Sequence, residues 1–484
     1  MSALHYGLTP KMKPISPHRS AVVAALDIGT SKVACLIARL RPHGPQQMLT
    51  RRSHAVEVIG FGHTFARGMK AGGIVNLSQA EESIRQAVDT AERMASVEIE
   101  SVVLSISAGR LAGELFAADI DIVGSGVSNG DIARVLAAGS RHSQRDGRAV
   151  LHSLPVGYSI DGANGIRDPR GMLGGRFGVE MHIATTDIAA ARNLMLAVER
   201  CHLTVEAMVG SPYVAGLSVL ADDEADFGSA VIDMGAGTTT IAVFAGGRFV
   251  HLQGFALGGQ HVTMDIARGL NARITDAERI KTLYGSVISG GSDERDMITV
   301  PPLNDDERDQ TQFVSRATLN QIVKPRVEEI LEIVRDRLAA SPFASESRGH
   351  VVLTGGASQL TGLPDLAARM LGRPVRIGRP LGIAGLPDAA KGAAFAVAAG
   401  LLVYPQAAHL EHFEPRRRRY AKTGTGGYFA RVGRWLRESF CWPPEAKPHH
   451  HSGRLRTGRG RAFNAPAQGR RGNYDHQSEH PRYP

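Results

Sequence analysis

The sequence predicts an α/β fold made of two similar lobes, and three observations carry that expectation. A strand, a turn opened by an acid and containing Gly, and a second strand occur twice: AVVAALDIGTSKVACLIARL from Ala21 and AVIDMGAGTTTIAVF from Ala230, with Asp27 and Asp233 at matched positions 206 residues apart. A further strand runs into a Gly-Gly turn and a helix in HVVLTGGASQLTGLPDLAARML, from His350. Composition agrees, since 43% hydrophobic and 21% charged residues suit a packed soluble body and 55 glycines suit a turn-rich one. At roughly 100–200 residues per domain, the chain has room for several packing units.

The elements follow in order. Residues 1–20 read as a loose, Pro-containing leader. AVVAAL and VACLIARL are buried strands joined by DIGTSK, which makes a hairpin. Ser78 to Met94 is helical, with Asn76 as its polar start and apolar residues at 3–4 spacing. SVVLSIS is a strand. Residues 108–186 mix short strands, Gly-rich turns and a helix near Asp131 to Ser140, and read as an inserted subdomain. A helix from Asp187 to Cys201 precedes the second hairpin. The first lobe then takes 21–107, 187–210 and 385–404, and the second takes 211–384. Within the second, 260–285 reads as helical, 286–312 as a polar surface loop, and Thr318 to Leu338 as a helix that Pro325 kinks or breaks. AAKGAAFAVAAGLL, residues 390–403, is a helix of small residues. After Tyr404 come a linker, 405–427, a short helix, 428–440, and a tail, 441–484, rich in Pro, Gly, Arg and His that reads as disordered.

Charge and cysteines exclude several classes. From Glu411 onward there are 16 basic and 6 acidic residues, which leaves 40 basic and 41 acidic in the body. The basic character belongs to the tail, so a nucleic-acid-binding globular body is not expected. Cys35, Cys201 and Cys441 are odd in number, widely spaced and without a CxxC pair, which argues against a disulfide framework or a zinc site and for a reducing compartment. No uninterrupted run of 18 apolar residues occurs, and the first 20 residues lack an apolar signal core.

The Gly turns carry the chemistry. A phosphate chain is held by backbone N–H groups at close approach, which Gly permits because it lacks Cβ. In DIGTSK these are Gly29, Thr30, Ser31 and Lys32, and in DMGAGTTT they are Gly235, Ala236, Gly237, Thr238 and Thr239, with the hydroxyls adding bonds to phosphate oxygens. Gly355, Gly356 and Ala357 of the third turn would line the base and ribose. Asp27 and Asp233, each at a strand end, suit Mg²⁺, which keeps several waters and uses few protein ligands. Each turn alone could be an ordinary hairpin turn; two matched acid-Gly-hydroxyl hairpins together with a strand-Gly-Gly-helix point to a nucleotide. The GxxxxGK[ST] pattern is absent and no GxGxxG opens a helix, so neither a P-loop nor a dinucleotide fold is expected.

The 428–440 segment carries a second signal. At 3.6 residues per turn, Tyr428, Phe429, Val432, Trp435, Leu436 and Phe440 fall within an arc of roughly 140°, while Arg431, Arg434 and Arg437 take the opposite face. Such a helix is marginal alone in water and gains by lying on an anionic bilayer.

The stretches ALDIGTSKVACLIARL, GMKAGGIVNL, VLHSLPVGYSID, VERCHLTVEAMV, AVIDMGAGTTTIAVF, DAERIKTLYG and VVLTGGASQLTGL closely resemble the bacterial cell-division FtsA family, a branch of the actin, sugar-kinase and heat-shock-70 superfamily; the resemblance runs from about Ala21 to Phe440. It implies actin-like, duplicated ribonuclease-H-like lobes with ATP and Mg²⁺ in the cleft between them. It also implies that 108–186 is the FtsA-type subdomain that meets other divisome proteins. Gly258 and Gly259 would form a connecting turn, and Glu278 and Lys281 of DAERIK would contact the nucleoside, although they also suit a solvated i,i+3 pair. In the family, the C-terminal peptide of the tubulin-like protein FtsZ docks on a small subdomain, here 265–345, where Arg316 suits a contact with an acidic peptide but equally a surface arginine on a capped helix, and members self-associate as actin-like protofilaments on the cytoplasmic face of the inner membrane at the division site, held by a C-terminal helix. No water-activating group stands out, Gln260 and His261 being equally suited to cap a helix, so at most weak ATPase activity is expected. The competing expectation is a small-molecule kinase of the same superfamily. The chain departs from the family in continuing 44 residues beyond Phe440.

Overall fold

The computed structural model describes residues 9–42, 49, 51–140, 147–302, 312–345 and 349–413. The linker beyond Phe413, the 428–440 helix with its residues Phe429 to Phe440, and the basic tail lie outside them.

β1 (Ala21–Ile28) and β2 (Lys32–Pro42) pair antiparallel from Ala21 opposite Leu40 to Ile28 opposite Val33. β3 (His54–Phe65) extends the meander. A small hairpin of β4 (Met69–Lys70) and β5 (Gly73–Ile74) leads to α1 (Leu77–Ala95), and β6 (Ser101–Ile106) returns parallel to β1. Nearly every side chain in the middle of β1 and β2 is buried, so both strands read as continuous apolar runs rather than alternating ones. α1 begins where the Asn76 side chain accepts the Gln79 N–H, and it buries Ala80, Ile84, Ala87, Val88 and Ala91 along one stripe.

The chain then leaves for an insert of β7 (Ala112–Asp121), α2 (Asn129–Ser140), β8 (Arg148–Ile160), β9 (Ala163–Ile166) and β10 (Arg176–Asp187). Its strands lie antiparallel in the order β7-β10-β8-β9 around a separate core that includes Val135, Phe177, Val179 and Met181. α3 (Ile188–Arg200) and β11 (Thr204–Gly210) bring the chain back beside β6.

After α4 (Ser211–Val219) and α5 (Asp222–Phe227) the opening arrangement is repeated. β12 (Ser229–Met234) and β13 (Thr239–Ala245) form a hairpin and β14 (Arg248–Phe255) continues it. α6 (Gly259–Gly269), α7 (Ile274–Tyr284), β15 (Met297–Val300), β16 (Gln312–Ser315) and α8 (Arg316–Ala339) follow, before β17 (His350–Thr354) enters parallel to β12, with α9 (Leu363–Leu371) and β18 (Val375–Ile377) after it. The short β19 (Ile383–Ala384) crosses back to the edge of β3, and α10 (Ala396–Ala407) closes the body. The two sheets share one order and one set of directions: β11-β6-β1-β2-β3 in the first lobe and β18-β17-β12-β13-β14 in the second. The insert's β7 joins β14 through a single pairing, Ala112 with Gln253.

Four local expectations change. The stretch 260–285 is two helices, broken near Asn271, whose φ of 49° no helix admits. The 286–312 stretch is not all loop, because Met297–Val300 pairs with Gln312–Ser315; four-residue strands with one buried face carry too little pattern to be read. α8 runs unbroken through Pro325, where burial of Leu319, Val323, Val327, Ile330 and Leu331 outweighs one lost backbone bond. The leader is docked from Thr9: its N–H and hydroxyl both donate to the Val150 carbonyl, and Met12 and Ile15 pack on the first-lobe core. An extended segment held by long-range partners leaves no periodic signal. Ala393–Leu410 is long and apolar enough to cross a bilayer by length and composition, but 78% of it is buried inside the body, where α10 packs on α4 and β1.

The docked leader ends in a buried network. Lys11 Nζ lies 3.3 Å from Glu411 Oε2 and donates to the Leu151 carbonyl. His152 Nδ1 and the Tyr404 hydroxyl each lie 2.8 Å from Glu411 Oε1, and His152 Nε2 accepts the Gly210 N–H at 2.9 Å, so the imidazole gives its one proton to Glu411. Burial alone would raise the Glu411 carboxyl, but Lys11, His152 and Tyr404 hold it down to about 2. A depressed acid contributes stability that is complete above its ordinary value of 4.5 and fades as pH falls toward 2. The Glu411→Gln variant is expected to lose about 3 kcal/mol at pH 7, because Lys11 is left buried and uncompensated, and to show a shallower loss of stability between those two pH values. Urea denaturation of both proteins across that range checks both outcomes.

Candidate functional site

The two acid-Gly turns have the same backbone closure. Gly29 N–H donates to the Lys32 carbonyl and Gly235 N–H to the Thr238 carbonyl, each at 2.9 Å. Asp27 pairs with Ala34 across the first hairpin and Asp233 with Thr240 across the second, so each carboxylate leaves its strand one step before the turn. The fold brings these turns against each other. A side chain at position 237 would meet Thr30 Oγ1 at 2.5 Å, so Gly237 is the residue that admits the contact. Thr30 is fixed in turn by Gly72 N–H, which donates to its hydroxyl at 2.8 Å.

Asp233 is buried in this junction and Asp27 is partly buried. Burial raises Asp27, opposed by Lys32 and by the Ser105 hydroxyl, which donates to Oδ1 at 2.6 Å from the end of β6. Asp233 is pushed up to about 7, first by burial and then by the charge of Asp27, with Lys32 working the other way. Lys32 donates to the Ala394 carbonyl and stands 4.6 Å above the Phe395 ring. Two carboxylates therefore share one ammonium in a poorly solvated space, which favours a proton or a cation. Among the described residues no group of three or more His, Cys, Asp or Glu side chains is arranged to hold a metal. A hydrated ion such as Mg²⁺, which draws its remaining ligands from water and phosphate, fits this donor set.

The third turn and α6 complete the wall. Gly355 has φ of +85°, and a Cβ there would lie 2.4 Å from Asp233 Oδ1, so the turn passes directly over the carboxylate. Gly355 N–H is tied to the Ala393 carbonyl at 3.1 Å, and Gly356 opens a short 3₁₀ turn that sets Ala357 against Gly259. Gly258 abuts the Gly235 carbonyl, while Gly259 and Gln260 N–H donate to the Gly235 and Ala236 carbonyls at 2.9 and 2.8 Å. Lys281 Nζ reaches the Gly259 carbonyl at 3.1 Å and Glu278 Oε2 at 2.7 Å, and Thr263 also donates to Glu278. Lys281 is nearly buried, whereas the Glu278 side chain is about half exposed.

Not every motif residue faces the junction. Ser31 is exposed and its carbonyl accepts Ala66 N–H. Thr238 is buried, and Thr239 is fully buried with its hydroxyl spent on the Leu257 carbonyl at 2.8 Å. His261 Nδ1 accepts Gly258 N–H at 3.1 Å and so caps α6. Arg316 begins α8, on the β15–β16 subdomain, 3.8 Å from Asp293. Ser105, Gly72 and the Ala394 carbonyl are the site members outside the three Gly turns; Gly72 falls in the quoted stretch GMKAGGIVNL, and Ser105 had a signal as a hydroxyl ending a strand that could lie beside β1.

Gly237→Ala is expected to press a methyl group into Thr30 and to part the two turns. We expect at least a roughly tenfold loss of Mg-nucleotide affinity, 1.4 kcal/mol, with the melting temperature changed by only a few degrees; equilibrium dialysis and calorimetric melting of the variant measure the two quantities.

Comparison with known proteins follows the same lines. The FtsA family model (cell division protein FtsA) matches residues 230–400, and the model of the SHS2 domain inserted in FtsA matches 109–185. The chain is 53% identical to the cell division protein FtsA of Agrobacterium fabrum over 437 residues, covering 90% of this chain and 98% of the relative. Against the FtsA of Escherichia coli K12 the identity is 33% over 426 residues, covering 87% and 98%. Among solved structures, the PilM-PilN type IV pilus biogenesis complex contains a chain of similar fold, with 17% identity, a TM-score of 0.55, and coverage of 79% of this chain and 98% of that one. With its two actin-like lobes and the SHS2 insert between β6 and α3, the chain belongs to the FtsA family of cell division proteins.

Proposed function

We propose that the junction of the three turns binds ATP with Mg²⁺ and that nucleotide binding governs an actin-like assembly that links FtsZ to the cytoplasmic membrane. The observation that carries this reading is the pair of matched turns set face to face with Asp27 and Asp233 between them. When bound with the nucleotide, the Mg²⁺ ion would supply the positive charge that the two carboxylates lack. The protein's part is to orient: Gly29 and Gly235 close the turns with their own N–H groups, the backbone N–H groups of Thr30, Ser31 and Ala236 to Thr238 would hold phosphate oxygens, Lys32 would offset their charge, and Asp27 and Asp233 would hold the ion through its waters. Gly355 to Ala357 and the Glu278–Lys281 pair bound the nucleoside side. Membership of the FtsA family leaves the small-molecule kinase reading without an observation in its favour.

The remaining contacts are assigned on the same footing. The exposed Met297 and Phe313 lie beside Arg316 on the β15–β16 subdomain, an apolar and basic surface suited to the acidic, partly apolar C-terminal peptide of FtsZ. Self-association into a protofilament and contacts of the 108–186 insert with other divisome proteins follow the family. The 428–440 helix, with Trp435, Leu436 and Phe440 on one face and Arg431, Arg434 and Arg437 on the other, rests on anionic lipid at the inner membrane.

Three outcomes are expected. Asp233→Asn weakens Mg-ATP binding by roughly tenfold or more; unchanged affinity removes Asp233 from its role. Because Asp233 is raised, its contribution to apo stability is complete below 3.8 and disappears as pH rises through about 7. The melting shift caused by Mg-ATP therefore grows between pH 6 and 8 in the native protein and stays flat in the Asn variant. Full-length protein floats with anionic vesicles while a version ending at Pro415 stays in solution; if neither floats, the lipid assignment is wrong.

A further inference from the structure

A cavity of about 770 Å³ lies away from the turns, where all three bodies of the fold meet. The first lobe contributes Arg52 and the end of α10, the second lobe Arg248 beside the β13–β14 turn, and the insert Arg167 and Arg170. The guanidiniums are unequally neutralised. Arg170 pairs with Asp168 at 3.1 Å, and the adjacent Arg51 pairs with Asp226. Arg52 donates to three carbonyls, Leu381 at 2.7 Å, Gly382 at 3.3 Å and Leu217 at 3.0 Å; burial pushes it down to about 10, and the Asp222 carboxylate in the same lining opposes that. Arg248 likewise donates to the Val156 and Arg167 carbonyls, at 2.5 and 3.2 Å, and burial lowers it from the ordinary arginine value. Among the described residues, neither Arg248 nor Arg167 has a carboxylate within ion-pair distance. Carbonyl bonds fix a guanidinium plane but leave its charge uncompensated, and a partly buried charge without a counter-ion is costly.

One wall is apolar, with Leu154, Pro155, Leu217, Val403 and Leu410, while Asp222, Gln406 and His409 add polar groups to the lining. The volume falls within the roughly 300–1,000 Å³ of small-molecule sites, whose walls are mostly apolar with a few convergent polar groups. Three guanidiniums reaching in from three separate elements suit a tetrahedral anion with several free oxygens better than a planar carboxylate, which one arginine fork satisfies. The chain's own C-terminal segment departs next to the cavity, since His412 lines it, but that segment opens with Arg416 to Arg419 and carries the same charge as the cavity.

We propose that this three-body junction is a binding site for an amphiphilic phosphate, its phosphate held by Arg248, Arg167 and Arg52 and its apolar part packed along Leu217, Pro155 and Leu410. A bound ligand would clamp the insert to both lobes. The phosphate could belong to a soluble ester or to the headgroup of a lipid in the bilayer, and the site is independent of the nucleotide junction.

The test uses the full chain saturated with Mg-ATP and titrated calorimetrically with octyl phosphate below its micelle concentration, beside octyl glucoside, which has the same chain without the charge, and inorganic phosphate. We expect one octyl phosphate per chain, weaker binding of inorganic phosphate, and no saturable binding of the glucoside. The Arg167→Gln, Arg248→Gln double variant should bind octyl phosphate roughly tenfold or more weakly, in line with losing charged hydrogen bonds, and should retain its Mg-ATP affinity, which separates this outcome from failure of the nucleotide reading. Arg167→Gln alone, in an exposed loop, gives a smaller loss if the double variant does not fold. Equal affinity of native and variant protein, or equal binding of the glucoside and the phosphate, overturns the proposal. Flotation on phosphatidylglycerol vesicles then identifies the source: a weaker response of the variant points to lipid, and an unchanged response with octyl phosphate binding lost points to a soluble ester.

Discussion

Two poorly solvated carboxylates brought together, with the charge of one ammonium acting on both, are the constraint around which the molecule is arranged. Asp27 and Asp233 stand at the ends of the central strands of different sheets, each raised by burial, and the charge of Asp27 adds to the rise at Asp233. Like charges in a poorly solvated space repel strongly, and Lys32 relieves only part of that. Such a junction is at its least favourable empty and deprotonated. A proton or a cation improves it, which ties the electrostatics of the interface between lobes directly to what occupies it.

The duplication makes this arrangement reproducible. Because β1 and β12 occupy the same place in sheets of identical order, their strand-end acids arrive in equivalent positions without any dedicated device. The antiparallel partner strand fixes the direction of each carboxylate through register, and a shift by one residue would turn Asp27 or Asp233 to the other face of its sheet. Parallel neighbours then bring the supporting groups: β6 delivers Ser105 to Asp27, and β17 delivers Gly355 to Asp233. The two lobes thus support their acids differently, with a hydroxyl in one and a close backbone pass in the other.

The insert is joined to this frame by one strand pairing from β7 to β14, by Arg248 and Gly210 bonds to Val156, Arg167 and His152, by Ala149, Leu151 and Leu154 in the first-lobe core, and by contacts of β8 with the terminal segments. Those segments matter more than their composition suggests. The docked leader and the residues after α10 meet at Lys11 and Glu411 against His152 of β8, so both ends of the folded body are pinned to the insert. The arginine-lined cavity lies beside the same seam, with Leu154 of β8 and His412 in its lining.

Much of the architecture was legible in the residues, for local reasons. Buried strands are continuous apolar runs, helices have caps and 3.6-residue periodicity, and a repeated acid-Gly turn is a pattern that any reader of the chain meets twice. Two similar α/β lobes followed from these, and the resemblance of the same stretches to the FtsA family implied that the lobes are actin-like. Tertiary structure decided the rest. That Gly237 touches Thr30, that Ser105 and the Ala394 carbonyl serve the site, and that Thr239 spends its hydroxyl inside its own sheet depend on distances between segments up to hundreds of positions apart, which no local pattern encodes. The docked leader escaped for the same reason, since extended chain gains its order only from partners elsewhere. By itself the sequence determined the elements, their duplication and the chemistry of the turns; the packing of lobe on lobe alone determined how close the two acids come and hence how strongly they repel, because charge interaction depends on separation and solvent exclusion rather than on residue identity.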